Sequence, residues 1–365
     1  MTKTLDVIVI GAGQAGLALG HHLGRRSADF LLLDAGPEIG SSWRSRWDSL
    51  RLFSPAQYDS LPGLPFPAPA DTHPTKDDVA DYLATYAEHF QLPVRLNSPV
   101  QRVHREDDGT FAVRTPDEVL RARQVVVATG PFQTPWTPAL SDRFDPALPQ
   151  LHSADYRNAG QLPAGGRVLV VGAANSGLQI ADELAHSCSV TVAVGSRPAE
   201  LPQRIAGRDL FFWLTKSGFF TVPADSRIAR RLRARGDLVI GTRSSRLRRR
   251  GVGFRPRLTG ATGRTAHFAD GSSAEIDAVV WATGFRSDYS WLHVPGVAVD
   301  GQARHTAGVT DVPGLYFIGL PWQSSRGSAL LGFVGADAAV LSTRIAADAG
   351  LPTPDSLATE TACCP

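Results

Sequence analysis

Short apolar runs that end in glycine set the pattern of this chain. Leu5-Asp6-Val7-Ile8-Val9-Ile10 runs into Gly11-Ala12-Gly13-Gln14-Ala15-Gly16, and Phe30-Leu31-Leu32-Leu33 follows and stops at Asp34. A β-branched run this short predicts a buried strand, and the small residues beyond Gly16 predict a helix lying close to it. The pattern returns about 160 residues on, where Val168-Leu169-Val170-Val171 meets Gly172-Ala173-Ala174-Asn175-Ser176-Gly177. Leu178 to Ala185 is the helix of this second unit and Val190 to Val194 its next strand. The duplication predicts an α/β fold with two Rossmann-like dinucleotide-binding domains.

Between and after the two units the periodicity places further elements. Thr75 caps a helix over Asp77 to Phe90, whose apolar face is Val79, Tyr82, Leu83 and Tyr86. Strands are expected at Val94 to Leu96, Val100 to Arg105, Phe111 to Arg114 and Arg123 to Ala128. Pro131 to Pro149 carries five prolines and reads as a linker. Ala278 to Ala282 is a second buried strand that ends in Thr-Gly, as Ala128 does, so both ends look like crossings between domains. Gly314 to Gly319 is a last strand, and Ser328 to Ile345 a helix whose N-terminus could face an anionic flavin ring. The division expected is 1–155 and 286–350 for a discontinuous first nucleotide-binding domain, 156–285 for an inserted second one, and 351–365 for a flexible tail.

Each glycine of the first turn has a physical task. Gly11 permits the tight turn, Gly13 lets backbone approach a pyrophosphate, and Gly16 lets helix and strand close up, with Gln14 and Ala15 in the first helical turn. Asp34 would accept hydrogen bonds from ribose hydroxyls. In the second unit Ala174 replaces the middle glycine, and the place of Asp34 reads Gly195-Ser196-Arg197. With no acid to repel a 2′-phosphate, and a hydroxyl and a guanidinium to bind one, this favours NADP over NAD.

Composition adds limits. The apolar fraction of 43% and charged fraction of 20% are those of a globular protein, and Val7 to Ile10 is too short for a signal or membrane segment, so a cytoplasmic location without membrane contact is expected. Cys188, Cys363 and Cys364 form no C-x-x-C, so metal sites and dithiol relays of the usual spacing are not expected. The net charge of +2 hides a block at 225–257 with twelve arginines and two aspartates, leaving the remainder at −8. Such a block could meet an acidic ligand, nucleic acid or a membrane surface. No nucleic-acid module accompanies it, and a solvated insertion is the simpler reading. Beside it, Phe211, Phe212, Trp213, Leu214, Phe219 and Phe220 form either packing or a substrate lid.

Taken in order from Leu5 to Ile345, these residues resemble the two-dinucleotide flavoproteins and, among them, the class B flavin-dependent monooxygenases, including YUCCA-like and bacterial single-component members. The resemblance rests on GAGQAG, the loop from Gly40 to Trp43, the first Ala-Thr-Gly at Ala128, GAANSG, Arg197 and the WATGF segment from Trp281. Of the family stretch F-x-G-x-x-x-H-x-x-x-Y/F, His152 and Tyr156 are present, while Pro146 and Leu148 stand at the Phe and Gly positions. No Asn falls between Asp34 and Gln91, where animal-type members place one beside the flavin; Ser54 or Gln57 lies near that place.

The resemblance implies FAD on Gly11, Gly13, Gln14, Ala15, Gly16 and Asp34, and NADPH on Gly172, Ala174, Asn175, Ser176, Gly177, Ser196 and Arg197. Thr129, Gly130, Thr283, Gly284, Gly319 and Ser328 complete the expected cofactor-binding set. Trp43, Arg44, Ser54 and Gln57 are the candidates for the wall around flavin and nicotinamide. The implied reaction inserts one oxygen atom from O2 into a small organic substrate through a C4a-(hydro)peroxyflavin. Two other readings stand beside it: a reductase passing electrons to a quinone or protein, and a nucleotide sensor without turnover. The partners expected are a small molecule and O2, with no nucleic acid; a homodimer is left open.

Overall fold

The computed structural model describes residues 3–196, 199–234, 236 and 238–350. Arg197 and the expected tail at 351–365 lie outside them. The first unit begins with β1 (Thr4–Ile10), α1 (Gln14–Gly24), β2 (Phe30–Leu33), α2 (Ser41–Arg44) and α3 (Lys76–His89). It continues with β3 (Val94–Arg95), β4 (Arg102–Arg105), β5 (Phe111–Arg114) and β6 (Val119–Val127). Val7, Ile8 and Val9 are wholly buried because both faces of β1 are covered. Val7 and Val9 pack with α1 and α3, whereas Ile8 and Ile10 pack on the other face with Val103, Phe111 and Phe317. Each such side chain contributes about 1.5–3 kcal/mol relative to exposure, and this is why the opening run has no polar alternation.

The first sheet runs Leu292–His293, β4, β5, β6, β1, β2, β3, with Leu315–Phe317 also pairing β6. β6 is long enough to meet β5 antiparallel with its first half and Leu315–Phe317 parallel with its second, while β1 lies parallel along its other edge. A capping box fixes the start of α3: the Thr75 hydroxyl accepts from the Asp78 N–H, and the Asp78 carboxylate accepts from the Thr75 N–H.

After β6 the chain makes β7 (Thr134–Pro135) and β8 (Gln150–His152), then the second unit, β9 (Arg167–Val171), α4 (Asn175–Leu184) and β10 (Ser189–Val194). Gly253–Pro256, β10, β9, Ala278–Trp281 and β8 form a second sheet, parallel throughout. Sheet membership therefore changes at Gln150, a few residues ahead of position 155, and the chain rejoins the first sheet at Leu292. The predicted architecture, one dinucleotide-binding unit inserted into another, is the one observed.

Two expectations are corrected, and one element is added. The stretch Pro131 to Pro149 is not a plain linker: Phe144 and Leu148 are buried against Leu169, Phe268 and Trp281. A three-stranded antiparallel sheet, Leu258–Thr262, Thr265–Phe268 and Ser273–Glu275, covers that same face and was invisible in the periodicity because its strands are short and polar on one side. The last helix starts at Val334 and runs to Ala349 rather than starting at Ser328. Ser328 Oγ instead takes the backbone N–H groups of Ser324 and Ser325, a local bonding pattern that competes with helix. A Cβ on Gly332 would stand 1.8 Å from the Tyr58 carbonyl oxygen, so this turn is wedged against the loop that carries Ser54 and Asp59.

Candidate dinucleotide and active site

The two glycine turns have matching geometry. Gly11 has φ +110°, and a Cβ there would lie 2.6 Å from the Ala128 carbonyl oxygen; Gly172 has φ +118° and faces Ala282 O at 2.2 Å. A Cβ on Gly16 would meet Gly11 O at 2.0 Å, and one on Gly177 would meet Gly172 O at 2.1 Å. Gly13 differs: no described atom lies within 4 Å of a Cβ built there. Its counterpart Ala174 is exposed. The outer and inner glycines thus serve the fold, and the middle position opens onto the face where the α1 and α4 amides point. That open cradle at a helix N-terminus fits a pyrophosphate.

The ribose ends differ. Asp34 Oδ2 accepts from the Ala12 N–H at 2.7 Å and Oδ1 from the Gly36 N–H at 2.8 Å, so the carboxylate is anchored by backbone at the mouth of the first turn. Each oxygen keeps a second lone pair for a hydroxyl. In the second unit the ladder aligns Val171 with Ala193 as Ile10 aligns with Leu33, so Val194 occupies the place of Asp34 and Gly195 comes one residue later. Ser196 is exposed. A guanidinium does lie here, although the sequence motif did not single it out: Arg257 Nη2 donates to Gly195 O at 3.1 Å.

The two Thr-Gly strand ends meet at one joint. Gly130 and Gly284 both have left-handed φ, at +67° and +84°. Directly beyond them, Phe285–Arg286 pairs antiparallel with β7. Gln133 Nε2 donates to Thr129 Oγ1 and to Gly130 O, and the Thr283 hydroxyl donates to Trp136 O. His152 belongs to this clasp. Its Nδ1 accepts from the Ala154 N–H, which leaves the proton on Nε2 to be donated to Gly284 O at 3.0 Å. Burial holds the His152 pKa below its ordinary value against the opposing pull of that carbonyl, so the ring is neutral at pH 7. The Tyr156 hydroxyl donates to Glu183 on α4. Both residues therefore brace the second unit, His152 at the strand end that leads into the joint and Tyr156 against α4.

The candidates for the flavin wall separate. Trp43 packs against the apolar clusters of both units. Arg44 pairs with Glu38, Asp77 and Asp81, so it is a strut between α2 and α3 and not an open cation, which corrects its expected place in the wall. The arginine of this loop that faces the joint is Arg46, over the rings of Phe285 at 5.1 Å and Phe132 at 5.7 Å. Ser54 is buried and donates to Asp59 Oδ1 at 2.5 Å. Gln57 is exposed on the rim of a cavity of about 380 Å3 shared with Asp71, Arg204, Arg208, Asp209 and Phe212.

Asp59 was not anticipated. It is 2% exposed, and its Oδ2 has no hydrogen-bond partner among the described residues. Burial pushes its pKa up to about 7 against the lowering effect of the Ser54 hydroxyl. The only signal in the sequence was a lone carboxylate in a loop of Pro, Ala, Tyr and Leu.

The other expected contacts are partly committed elsewhere. Gln14 Nε2 donates to Ala329 O at 2.9 Å, and a Cβ on Gly319 would touch Ala15 Cβ at 2.6 Å, so the segment after the last strand is packed onto the start of α1. Asn175 uses its side chain to hold Leu238 O and the Ile240 N–H. Ser176 is half-buried beside it on α4. Ser328, 1% exposed, is committed to its own turn. The aromatic segment divides as well. Phe211 stacks on Phe220 and packs with Phe53, Tyr58 and Phe333, while Trp213 is 39% exposed and donates its Nε1–H to Ile205 O.

Among the described residues there is no group of His, Cys, Asp and Glu able to hold a metal, and no helix long and apolar enough to cross a membrane.

The family model for pyridine nucleotide-disulphide oxidoreductases matches residues 8–205. A CzcO-like oxidoreductase of Geobacillus kaustophilus is 43% identical over 343 residues, which cover 93% of this chain and 98% of the relative. The indole-3-pyruvate monooxygenase YUCCA1 of Oryza sativa subsp. japonica is 28% identical, with 88% of each chain covered. The solved flavin-containing monooxygenase from Stenotrophomonas maltophilia superposes with a TM-score of 0.78 at 32% identity, covering 95% of this chain and 99% of that one. With two glycine turns, two Thr-Gly crossings and this likeness over almost its whole length, the chain is an oxidoreductase of the pyridine nucleotide-disulphide oxidoreductase family, within its class B flavin-dependent monooxygenase branch.

Proposed function

We propose that this protein is an NADPH-dependent FAD monooxygenase that transfers one oxygen atom from O2 to a small organic substrate. The observation that carries the reading is the asymmetry of the two nucleotide units about one joint. The first has an acid anchored at its ribose end; in the second Val194 stands in that place and the exposed Ser196 follows it. The names of the relatives, a flavin-containing monooxygenase and an indole-3-pyruvate monooxygenase, agree with it. The chain has no C-x-x-C, and the cysteine among the described residues, Cys188, lies against Pro163 on the second unit.

Bound FAD would accept hydride from NADPH and activate O2. The residues of the chain bind, orient and exclude water. The α1 amides around Gly13, with Asp34, would hold the FAD diphosphate and ribose. The turn from Gly172 to Gly177, with Ser196 and Arg197, would hold the second nucleotide. Thr129, Gly130, Thr283 and Gly284 set the joint at which the two cofactors would meet. The aromatic layer of Phe53, Tyr58, Phe211, Phe220 and Phe333, packed together beside Asp59's loop, would help exclude water. Asp59, protonated in part at neutral pH, is placed to hold or release a proton at Oδ2 beside Ser54.

The test supplies NADPH, 18O2 and a panel of amines, sulfides, ketones and aldehydes. The expected result is one labelled oxygen in the product for each NADPH consumed. NADPH use that yields only hydrogen peroxide or a reduced quinone, with no labelled product across the panel, would contradict the proposal.

A further inference from the structure

We propose that Arg257 is a 2′-phosphate anchor of the second nucleotide site, acting with Ser196. The inference rests on the NADPH reading above and deepens it. In the parallel ladder Val194 is paired with Pro256, so the residues that leave the two strands side by side are Gly195 and Arg257. These ends belong to the strand that carries the ribose position and to its outer neighbour, at the carboxyl edge of the sheet where dinucleotides bind in such folds.

Two features hold the guanidinium there. The Arg257 backbone is fixed by the Ala269 N–H, which donates to Arg257 O at 2.9 Å. Its Nη2 donates to Gly195 O at 3.1 Å, and a Cβ on Gly195 would stand 3.9 Å from both Cζ and Nη2, so the plane lies along the bare backbone of the residue before Ser196. That single bond leaves several N–H donors of the fork for an anion. No described carboxylate forms an ion pair with Arg257, in contrast to Arg246 and Arg250 of the same basic block, which are neutralised by Asp182. The side chain is exposed, so no packing role accounts for its placement. A guanidinium held to Gly195 O, not neutralised by a described carboxylate and next to a hydroxyl just beyond the place of Asp34, is a phosphate-binding pair.

The experiment is isothermal titration of the FAD-loaded protein with NADP+ and, separately, with NAD+, for the wild type, Arg257→Ala and Arg257→Lys. Melting temperature and flavin content serve as controls for folding. The expected result is a loss of at least ~10-fold in NADP+ affinity for Arg257→Ala, with NAD+ changed by less than ~2-fold and Arg257→Lys in between. Unchanged NADP+ binding, or an equal loss for both nucleotides as adenine stacking would give, overturns the assignment while leaving the NADPH reading intact. A wild type that binds NAD+ as well as NADP+ overturns the reading and the assignment together.

Discussion

Asp59 sits in a conflict between charge and burial, and the conflict has a pH signature. Its carboxyl is enclosed and, among the described residues, takes a hydrogen bond from the Ser54 hydroxyl alone, and its pKa rises to about 7. An acid whose pKa is higher in the fold than in the unfolded chain keeps its proton in the fold while the unfolded chain loses it. The contribution of Asp59 to stability therefore falls as pH climbs from about 4 to about 7 and is flat above. Replacement by Asn removes the titration and keeps the shape. Urea unfolding at pH 4 and pH 8 should show Asp59→Asn gaining on the wild type over that interval by up to about 4 kcal/mol. Parallel curves would mean that Asp59 ionises in the fold as freely as in water. At this scale the glycines were legible from the sequence because their constraint is steric and local. Asp59, Arg46 and Arg257 were not, because what singles them out is made by the fold: burial for Asp59, Phe285 across the joint for Arg46, and Gly195 across a strand pair for Arg257.

Among the elements, the helix Leu210–Lys216 shows how one segment can hold both a core and an edge. Asp209 caps it through the Phe211 N–H and also accepts from Gln203 Nε2, while His73 Nε2 lies 3.4 Å away. Gln203 in turn donates to Phe53 O, so the segment is clamped to the loop of the first unit that carries Ser54. Phe211 then faces Phe220 and Tyr58, and Trp213 faces outward. Phe211→Ala should cost about 3–5 kcal/mol, and Trp213→Ala roughly 1 kcal/mol or less, both read by denaturant unfolding followed through circular dichroism. Equal costs would show that the division between core and edge is wrong. The sequence showed six aromatic and apolar residues here without saying which faced inward, because seven helical residues are too few to display a period. The same shortness hid the antiparallel strands after Leu258. By contrast, α3 was legible to within a residue, since its cap, its acidic first turn and its apolar face all agree.

For the whole molecule, duplication was the most readable feature. Two copies of strand, glycine turn and helix, with two Thr-Gly ends, implied two sheets, and the chain builds them as one unit inserted in another. What the pattern could not give was the joint itself, made by β7 against Phe285–Arg286 and locked by neutral His152, because those pairings span more than a hundred residues and carry no local signal. In the proposed function the two units have different duties, the first holding the flavin and the second delivering electrons from NADPH for reaction with O2. Rapid mixing tests this most directly. The flavin-loaded protein is reduced with NADPH or NADH without oxygen, then mixed with oxygenated buffer while its visible spectrum is recorded. The expected result is faster reduction by NADPH, then a transient spectrum belonging to neither oxidised nor reduced flavin before the oxidised spectrum returns. Equal reduction by the two nucleotides, or direct return to the oxidised spectrum with no transient, would contradict it.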